Sequence, residues 1–155
     1  MKATISRHRG RQPVSLYDTD FHRWTQRTAA LLRAGEFTAL DVEHAAEEVE
    51  DMGKREVRDL NSRLRTLLLH LLKWQFQPRK RTRSWRATIA EQRDAIADSL
   101  TQSPSLEQHL RDNLSESYRR ALRRAAIETG LAMRQFPTRC PYSIEQLLDE
   151  EFLPE

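Results

Sequence analysis

A wholly basic segment that contains aromatic residues is the part of this sequence best equipped for chemistry. Six cations and no acid lie between Lys73 and Arg86, and Trp74, Phe76 and Trp85 stand among them. Cationic side chains can hold phosphates while nucleic-acid bases stack on nearby rings. The segment therefore predicts a contact patch for an anionic partner. The residues of this contact patch are Arg79, Lys80, Arg81 and Arg83.

The same segment also fits a purely structural interpretation. Trp74 and Trp85 fall on the apolar faces of the helices predicted on either side, where tertiary packing claims most aromatic side chains. In that case the rings fix a corner of the fold and the cations are solvated. A second basic cluster, from Arg119 to Arg124, extends the contact patch only if its helix lies beside the corner.

An acidic segment over residues 41–51 raises the question of a metal site. It carries six acids and no Lys or Arg. His44 lies within this segment, and His70 lies C-terminal to it. In a continuous helix Glu48 and His70 would be about 33 Å apart, too far to share an ion within one chain. Acids in the first turns also complement the helix dipole. The sequence predicts no metal site, no cofactor and no catalytic residue.

Two smaller polar groups are further candidates. Glu56 and Arg63 lie seven residues apart on one edge of the apolar face of the long helix, which suits a dimer edge. His70 continues that spacing, and Gln92 and Arg93 of the next helix could join it in a polar network. Such a network is more often structural than catalytic.

Composition favours long amphipathic helices. Apolar residues make up 38% and charged residues 32%, with only 4 Gly and 6 Pro, and the net charge is +3. Cys140 is the only cysteine, which fits a reducing compartment and predicts a cytoplasmic protein with a buried, inert thiol. No apolar run is long enough to span a membrane. Residues 1–15 are predicted to form a flexible basic arm, and residues 16–155 a single all-helical domain.

Helix signals divide the chain into four main helices and a short fifth one. The prediction is an all-α helical bundle with one very long second helix and a short C-terminal helix. The expected starts and stops are Asp18 or Asp20 with Gly35, Thr38 with Pro78, Ser84 with Gln102, Ser105 with Gly130, and Ser143 for the last helix.

The long helix is the main structural puzzle. Its apolar period continues over about 40 residues, hence roughly 60 Å, while a domain of this size has a radius of gyration of about 15 Å. Gly53 is the weak point, yet Val49, Met52 and Val57 stay in phase across it. We favour a continuous helix in which Gly53 allows another helix to cross closely and a second copy of the protein covers the exposed part. A break at Gly53 is the alternative.

Five segments in a fixed order carry a family resemblance that covers nearly all of the chain from Leu16 to Pro154. With them the chain resembles a bacterial family, the domain-of-unknown-function family 29. The resemblance implies an all-helical bundle and no established activity. The segments are LYDTDFHRWTQRTAALLRAGEF, LDVEHAAEEVEDMGKRE, HLLKWQFQP, RSWRATIAEQR and FPTRCPYSIEQLLDEEFLP.

These observations predict a non-enzymatic helical protein–protein interaction module that forms a homodimer and also binds an unidentified protein partner. The first alternative is an accessory nucleic-acid-binding protein that uses residues 73–86. The second is a metal-binding or catalytic helical bundle that uses Glu48 and His70. Binding to a membrane is not expected.

Overall fold

The structure is a computed structural model that describes residues 15–155. These residues form six α-helices joined by short connections and 3-10 turns, with no strand among them. The predicted all-α bundle, with four main helices, a very long second one and a short C-terminal one, is confirmed. The helices are α1 (Leu16–Thr19), α2 (Phe21–Ala34), α3 (Val42–Phe76), α4 (Arg83–Gln102), α5 (Leu106–Thr129) and α6 (Ile144–Leu148).

The chain divides into two compact units, the first ending at Met52 and the second formed by Gly53–Glu155. The helix α3 supplies residues to both units, and the single domain over residues 16–155 stays a prediction. The predicted basic arm lies outside the described residues except for Ser15, whose hydroxyl caps α1 by accepting a hydrogen bond from Tyr17 N. None of the helices in residues 15–155 is both long enough and apolar enough to cross a bilayer.

The long helix is uninterrupted. It has 35 residues, and Gly53 is helical like its neighbours. A Cβ added to Gly53 would meet no described atom within 4 Å outside its local helix. The close helix crossing expected at Gly53 is therefore wrong for the described part of the chain. The favoured interpretation of a continuous helix agrees with the structure, whereas the break does not.

Two predicted helix starts are wrong by two or three residues. The helix α3 begins after Asp41 and not after Thr38, which lies in a 3-10 turn over Phe37–Ala39. The helix α4 begins after Thr82, whose hydroxyl accepts a hydrogen bond from a backbone N–H three residues on, so Ser84 lies inside the first turn. Neighbouring Ser, Thr and Asp side chains all suit an N-cap, and only the backbone path selects one.

Other predicted helix ends are confirmed. Gly35 and Gly130 end α2 and α5 in the left-handed conformation, with φ of 71° and 73°. Ser143 and Gln146 form the predicted capping box of α6. Ser105 precedes α5 as predicted, but its side chain makes no capping hydrogen bond.

The core of the second unit is built around the C-terminal half of α3. Its leucines form one buried cluster with Ile89 and Ile96 of α4, Leu110 and Tyr118 of α5, and residues of the C-terminal segment. Because seven leucines of this helix are buried, apolar side chains must cover it on several sides. These are Leu60, Leu64, Leu67, Leu68, Leu69, Leu71 and Leu72.

The buried leucines give a first prediction about stability. Leu67 is fully buried, so Leu67→Ala should lower the free energy of unfolding by about 2 to 5 kcal/mol through lost burial and the cavity left behind. Chemical denaturation followed by circular dichroism measures the change. Ile127→Ala is the matched control, because Ile127 is 83% exposed and its truncation should cost less than about 0.5 kcal/mol. Equal losses for the two variants would contradict the assignment of the core.

Candidate functional site

In the basic corner, residues 73–86, two of the cationic side chains make contacts within the chain. Arg81 donates from Nε to the carbonyl oxygen of Trp74 at 2.9 Å and from Nη2 to that of Pro154 at 3.4 Å. Its guanidinium also lies 5.0 Å from the centre of the Trp74 ring. Lys73 forms an ion pair with Glu128 at 2.7 Å and lies 4.7 Å from the centre of the Trp85 ring. Lys73 and Arg81 therefore hold the corner together.

The remaining members of the contact patch, Arg79, Lys80 and Arg83, are exposed on the 3-10 turn Pro78–Lys80 and at the start of α4. The three rings of the corner are all half-buried, and the Phe76 ring packs 4.8 Å from that of Phe136. Rings placed in this way stabilise the corner and offer little face to a nucleic-acid base. The structural interpretation of the corner accounts for Lys73, Arg81 and the three rings.

Arg93 of α4 is a buried arginine that makes several hydrogen bonds within the second unit. It is only 3% exposed, and its guanidinium donates to four backbone carbonyl oxygens of the C-terminal segment. The shortest of these hydrogen bonds run to Phe152 at 2.7 Å and to Leu147 at 2.9 Å. Burial lowers the pKa of Arg93, and Asp149 and Glu150 oppose that shift. Arg93 therefore fastens the C-terminal segment to α4.

The hydrogen bonds of the other candidate residues run within the second unit. His70 Nδ1 lies 2.9 Å from the carbonyl oxygen of Thr66, and burial lowers the pKa of His70. Within residues 15–155 we find no hydrogen bond that joins His70, Gln92 and Arg93 into the predicted network. Glu56 accepts a hydrogen bond from Ser103 Oγ at 3.1 Å.

Glu56 and Arg63 line a hollow of about 140 Å³ beside the junction of α4 and α5. Both side chains of the predicted dimer edge thus border residues of their own chain, among them Ser99 and Ser103. The dimer edge stays a prediction.

Cys140 is a half-buried free thiol. Its Sγ lies 3.5 Å from the carbonyl oxygen of Tyr142, and burial raises its pKa. A raised pKa keeps the thiol protonated and weakly nucleophilic, which agrees with an inert cysteine.

The first unit is organised by an aromatic cluster that the sequence did not reveal. The Tyr17 ring stacks on the His44 ring with centroids 4.0 Å apart and meets the Trp24 ring edge-on at 4.9 Å. Tyr17 Oη donates to Glu48 at 2.7 Å, and this hydrogen bond raises the pKa of Tyr17 to about 12. The cluster joins α1 and α2 to the first turns of α3. Tyr17 and His44 are 27 residues apart and lie on different helices, so no periodic pattern connects them.

Asp41 and His44 form an ion pair at the start of α3. Asp41 Oδ2 lies 2.7 Å from His44 Nδ1, and this hydrogen bond raises the pKa of His44 and lowers that of Asp41. The described part of the chain holds no group of three or more His, Cys, Asp or Glu side chains arranged to bind a metal.

An exposed apolar surface lies on α3 in the first unit. Val42, Val49 and Met52 are 60%, 68% and 63% exposed, and we call these three residues the α3 stripe. Val42 and Val49 are seven residues apart, nearly two full turns, so they point to the same side of the helix. Sequence periodicity placed them on the apolar face but did not show that this part of the face is uncovered. Other large exposed apolar residues of the unit are Phe21, Leu32 and Phe37.

Negative charge lies beside the α3 stripe. Glu43 is exposed and lies about 100° around the helix from Val42, at 100° per residue, whereas Glu47 lies about 140° from Val42, near the face opposite the stripe. His44 and Glu48 lie about 160° and 120° from Val42 in the other direction around the helix, and the aromatic cluster holds both side chains. The exposed surface of α3 is therefore an apolar stripe with an acidic border.

Comparison with known proteins gives one finding. The family described as "Domain of unknown function DUF29" matches residues 16–153 of this chain. No match to a curated protein or to a solved structure was found.

Loss of the Arg93 hydrogen bonds should loosen the C-terminal segment. Arg93→Met keeps an unbranched apolar stem but removes every donor, and leaves buried carbonyl oxygens without a partner, at a cost of about 3 kcal/mol or more. Chemical denaturation measures that cost, and hydrogen exchange should rise over residues 144–153. Arg86→Met, at an exposed arginine of the same helix, should change stability by less than about 0.5 kcal/mol. Unchanged exchange in Arg93→Met would refute the role of Arg93.

The Asp41–His44 pair predicts a pH dependence. Asp41→Asn keeps a good N-cap but removes the charge, so the pKa of His44 in a nuclear magnetic resonance titration should fall toward its ordinary 6.5. Because the folded pKa of His44 is raised, the stability that the pair contributes is fully present below about pH 6.5 and is lost as the pH rises through the folded pKa. Thermal unfolding across that range checks the sign. An unchanged His44 pKa in Asp41→Asn would contradict the pairing.

Proposed function

We propose that this chain, which belongs to the DUF29 family of unknown function, is a non-enzymatic module for binding another protein. The α3 stripe is its binding surface, and the partner is an amphipathic helix with basic residues beside its apolar face. The single observation that carries the proposal is the exposure of Val42, Val49 and Met52 on one ordered helix.

Exposure of these side chains is costly unless something covers them. Each large apolar side chain that leaves water contributes about 1.5 to 3 kcal/mol, so an uncovered row of three is a ready source of binding energy. Their spacing suits a helical partner, because anchors on a docked helix recur at three, four and seven residues. Met52 adds an adaptable side chain that can fill an irregular gap.

Charge indicates the chemistry of the partner. Glu43 borders the stripe, and residues 41–51 contain six acids with no Lys or Arg. A partner with Lys or Arg at this border would be attracted, whereas an acidic one would be repelled. Two copies of residues 41–51 placed face to face would bring like charges together, so the surface favours a basic helix over its own copy.

The aromatic cluster supports the proposal from the other side of α3. Tyr17 stacks on His44 and bonds to Glu48, so the helix is already fixed where the stripe lies. A surface ordered in advance loses less conformational entropy when a partner binds.

The other predicted functions have less support. A nucleic-acid contact at the corner would rely on Arg79, Lys80 and Arg83, since Lys73 and Arg81 are bound within the chain. A metal or catalytic site at Glu48 and His70 would compete with the hydrogen bond from Tyr17 to Glu48. A cytoplasmic location and the homodimer remain predictions.

A synthetic peptide tests the proposed surface. We expect an amphipathic helical peptide of Leu and Lys to bind the intact chain, as measured by fluorescence anisotropy. Val49→Glu should weaken binding at least tenfold, because one apolar contact of about 1.5 kcal/mol is lost and an acid enters the stripe. Glu43→Lys should also weaken binding, through reversal of a border charge.

Matched controls distinguish binding at this surface from non-specific binding to exposed apolar residues. Ile127→Glu introduces the same acid at an exposed apolar residue of α5 and should leave binding within twofold. A peptide with Glu in place of Lys should not bind. Equal loss in Val49→Glu and Ile127→Glu would sink the proposal. So would light scattering that shows a dimer of the purified chain which Val49→Glu dissociates, because a second copy would then occupy the stripe.

A further inference from the structure

A pocket in the second unit is lined by cations and hydroxyl groups and by no acid. It lies between α3 and α5 and has a volume of about 310 Å³. That space is large enough for a phosphoryl group together with several waters. Its lining residues are Ser62, Arg65, Thr66, Arg120, Ala121 and Arg124, and we call it the arginine pocket.

Arg65 is the central observation. Its side chain is half-buried, yet it forms no hydrogen bond or ion pair with any residue in the described range 15–155. A guanidinium carries five N–H donors, and none of those of Arg65 is both buried and unsatisfied, so they stay open to water and to a ligand in the pocket. An oxyanion would replace those water contacts with charge-assisted hydrogen bonds.

Arg120 and Arg124 keep donors available on the opposite wall. Arg120 donates from Nε to Glu116 at 2.8 Å, and Arg124 donates from Nε to Glu128 at 2.8 Å. These ion pairs orient both side chains but use only one edge of each guanidinium. The terminal Nη groups of both arginines make no other hydrogen bond to the described residues.

The shape of the arginine pocket follows from the residue types on α3 and α5. Arg120 and Arg124 lie one helical turn apart on α5, and Ser62 and Thr66 lie one turn apart on α3, so each pair shares a face. Ala121 is only 2% exposed and forms part of the lining, where a larger side chain would fill the space. Thr66 Oγ1 donates to the carbonyl oxygen of Ser62, which leaves the Ser62 hydroxyl as the further donor.

We propose that the arginine pocket binds a phosphate monoester dianion, with Arg65, Arg120 and Arg124 as its cationic ligands and Ser62 Oγ as an additional donor. Guanidinium groups match the geometry of phosphate oxygens and form charge-assisted hydrogen bonds with them. Three guanidinium groups and a hydroxyl offer a donor to each of the three terminal oxygens of a phosphate monoester, whereas a carboxylate has only two oxygens. The pocket lies entirely in the second unit, so this inference is independent of the protein-binding function proposed for the α3 stripe.

Isothermal titration of the full chain at constant ionic strength tests the pocket, with glycerol phosphate and inorganic phosphate as the probes. We expect saturable binding of both, and a loss of at least tenfold in affinity in Arg65→Gln. Arg120→Gln, at a more exposed position, should weaken binding in the same direction and guards against a folding defect in the first variant. Circular dichroism checks that each variant keeps its helices.

Arg123→Gln is the matched control. Arg123 lies on the same helix, is exposed and carries the same charge, but it does not line the pocket. It should leave affinity within twofold. Absence of saturable binding, or an equal loss in Arg123→Gln, would overturn the proposal. Binding of a single-stranded oligonucleotide that glycerol phosphate does not displace would overturn it as well, because the ligand would then be a phosphodiester backbone.

Discussion

The burial of leucines on the C-terminal half of α3 is the constraint on which the rest of the second unit depends. Seven leucines between Leu60 and Leu72 are too many for one face, so α4, α5 and the C-terminal segment must all contribute to one core around them. Packing around this core also brings polar side chains of α3 and of the basic corner into contact with these elements. Lys73 pairs with Glu128 of α5, and Arg81 reaches the carbonyl oxygen of Pro154.

Arg93 is the polar counterpart of this core. Four carbonyl oxygens accept from its one guanidinium, two of them in the short helix α6 and two in the irregular segment that follows it. A buried charge is tolerated when its donors are satisfied in this way. The short helix α6 is therefore held by apolar contacts of Ile144 and Leu147 and by Arg93 together.

Two surfaces remain where the packing leaves chemistry unused. The α3 stripe exposes apolar side chains beside acids, and the arginine pocket gathers donors beside hydroxyl groups. They differ in charge and lie in different units, so they suit different ligands. Other contacts already fix the helices that carry these surfaces. Tyr17 holds α3 where the stripe lies, and the leucine core holds α3 and α5 beside the arginine pocket.

The sequence by itself determined the all-α class, the number of main helices, the glycine ends at Gly35 and Gly130, and the capping box of α6. These features follow from apolar period and local backbone chemistry, which act over a few residues. Only the tertiary structure decided that Arg81 and Arg93 bind carbonyl oxygens, that Tyr17 stacks on His44, and that Arg65 lines one pocket with Arg120 and Arg124. Those contacts join residues of different helices or segments, and helical period gives the face of each helix but not its neighbour. Nor could period show that Val42 and Val49 stay exposed while Leu60 and Leu64 are buried, because burial depends on which other elements cover the helix.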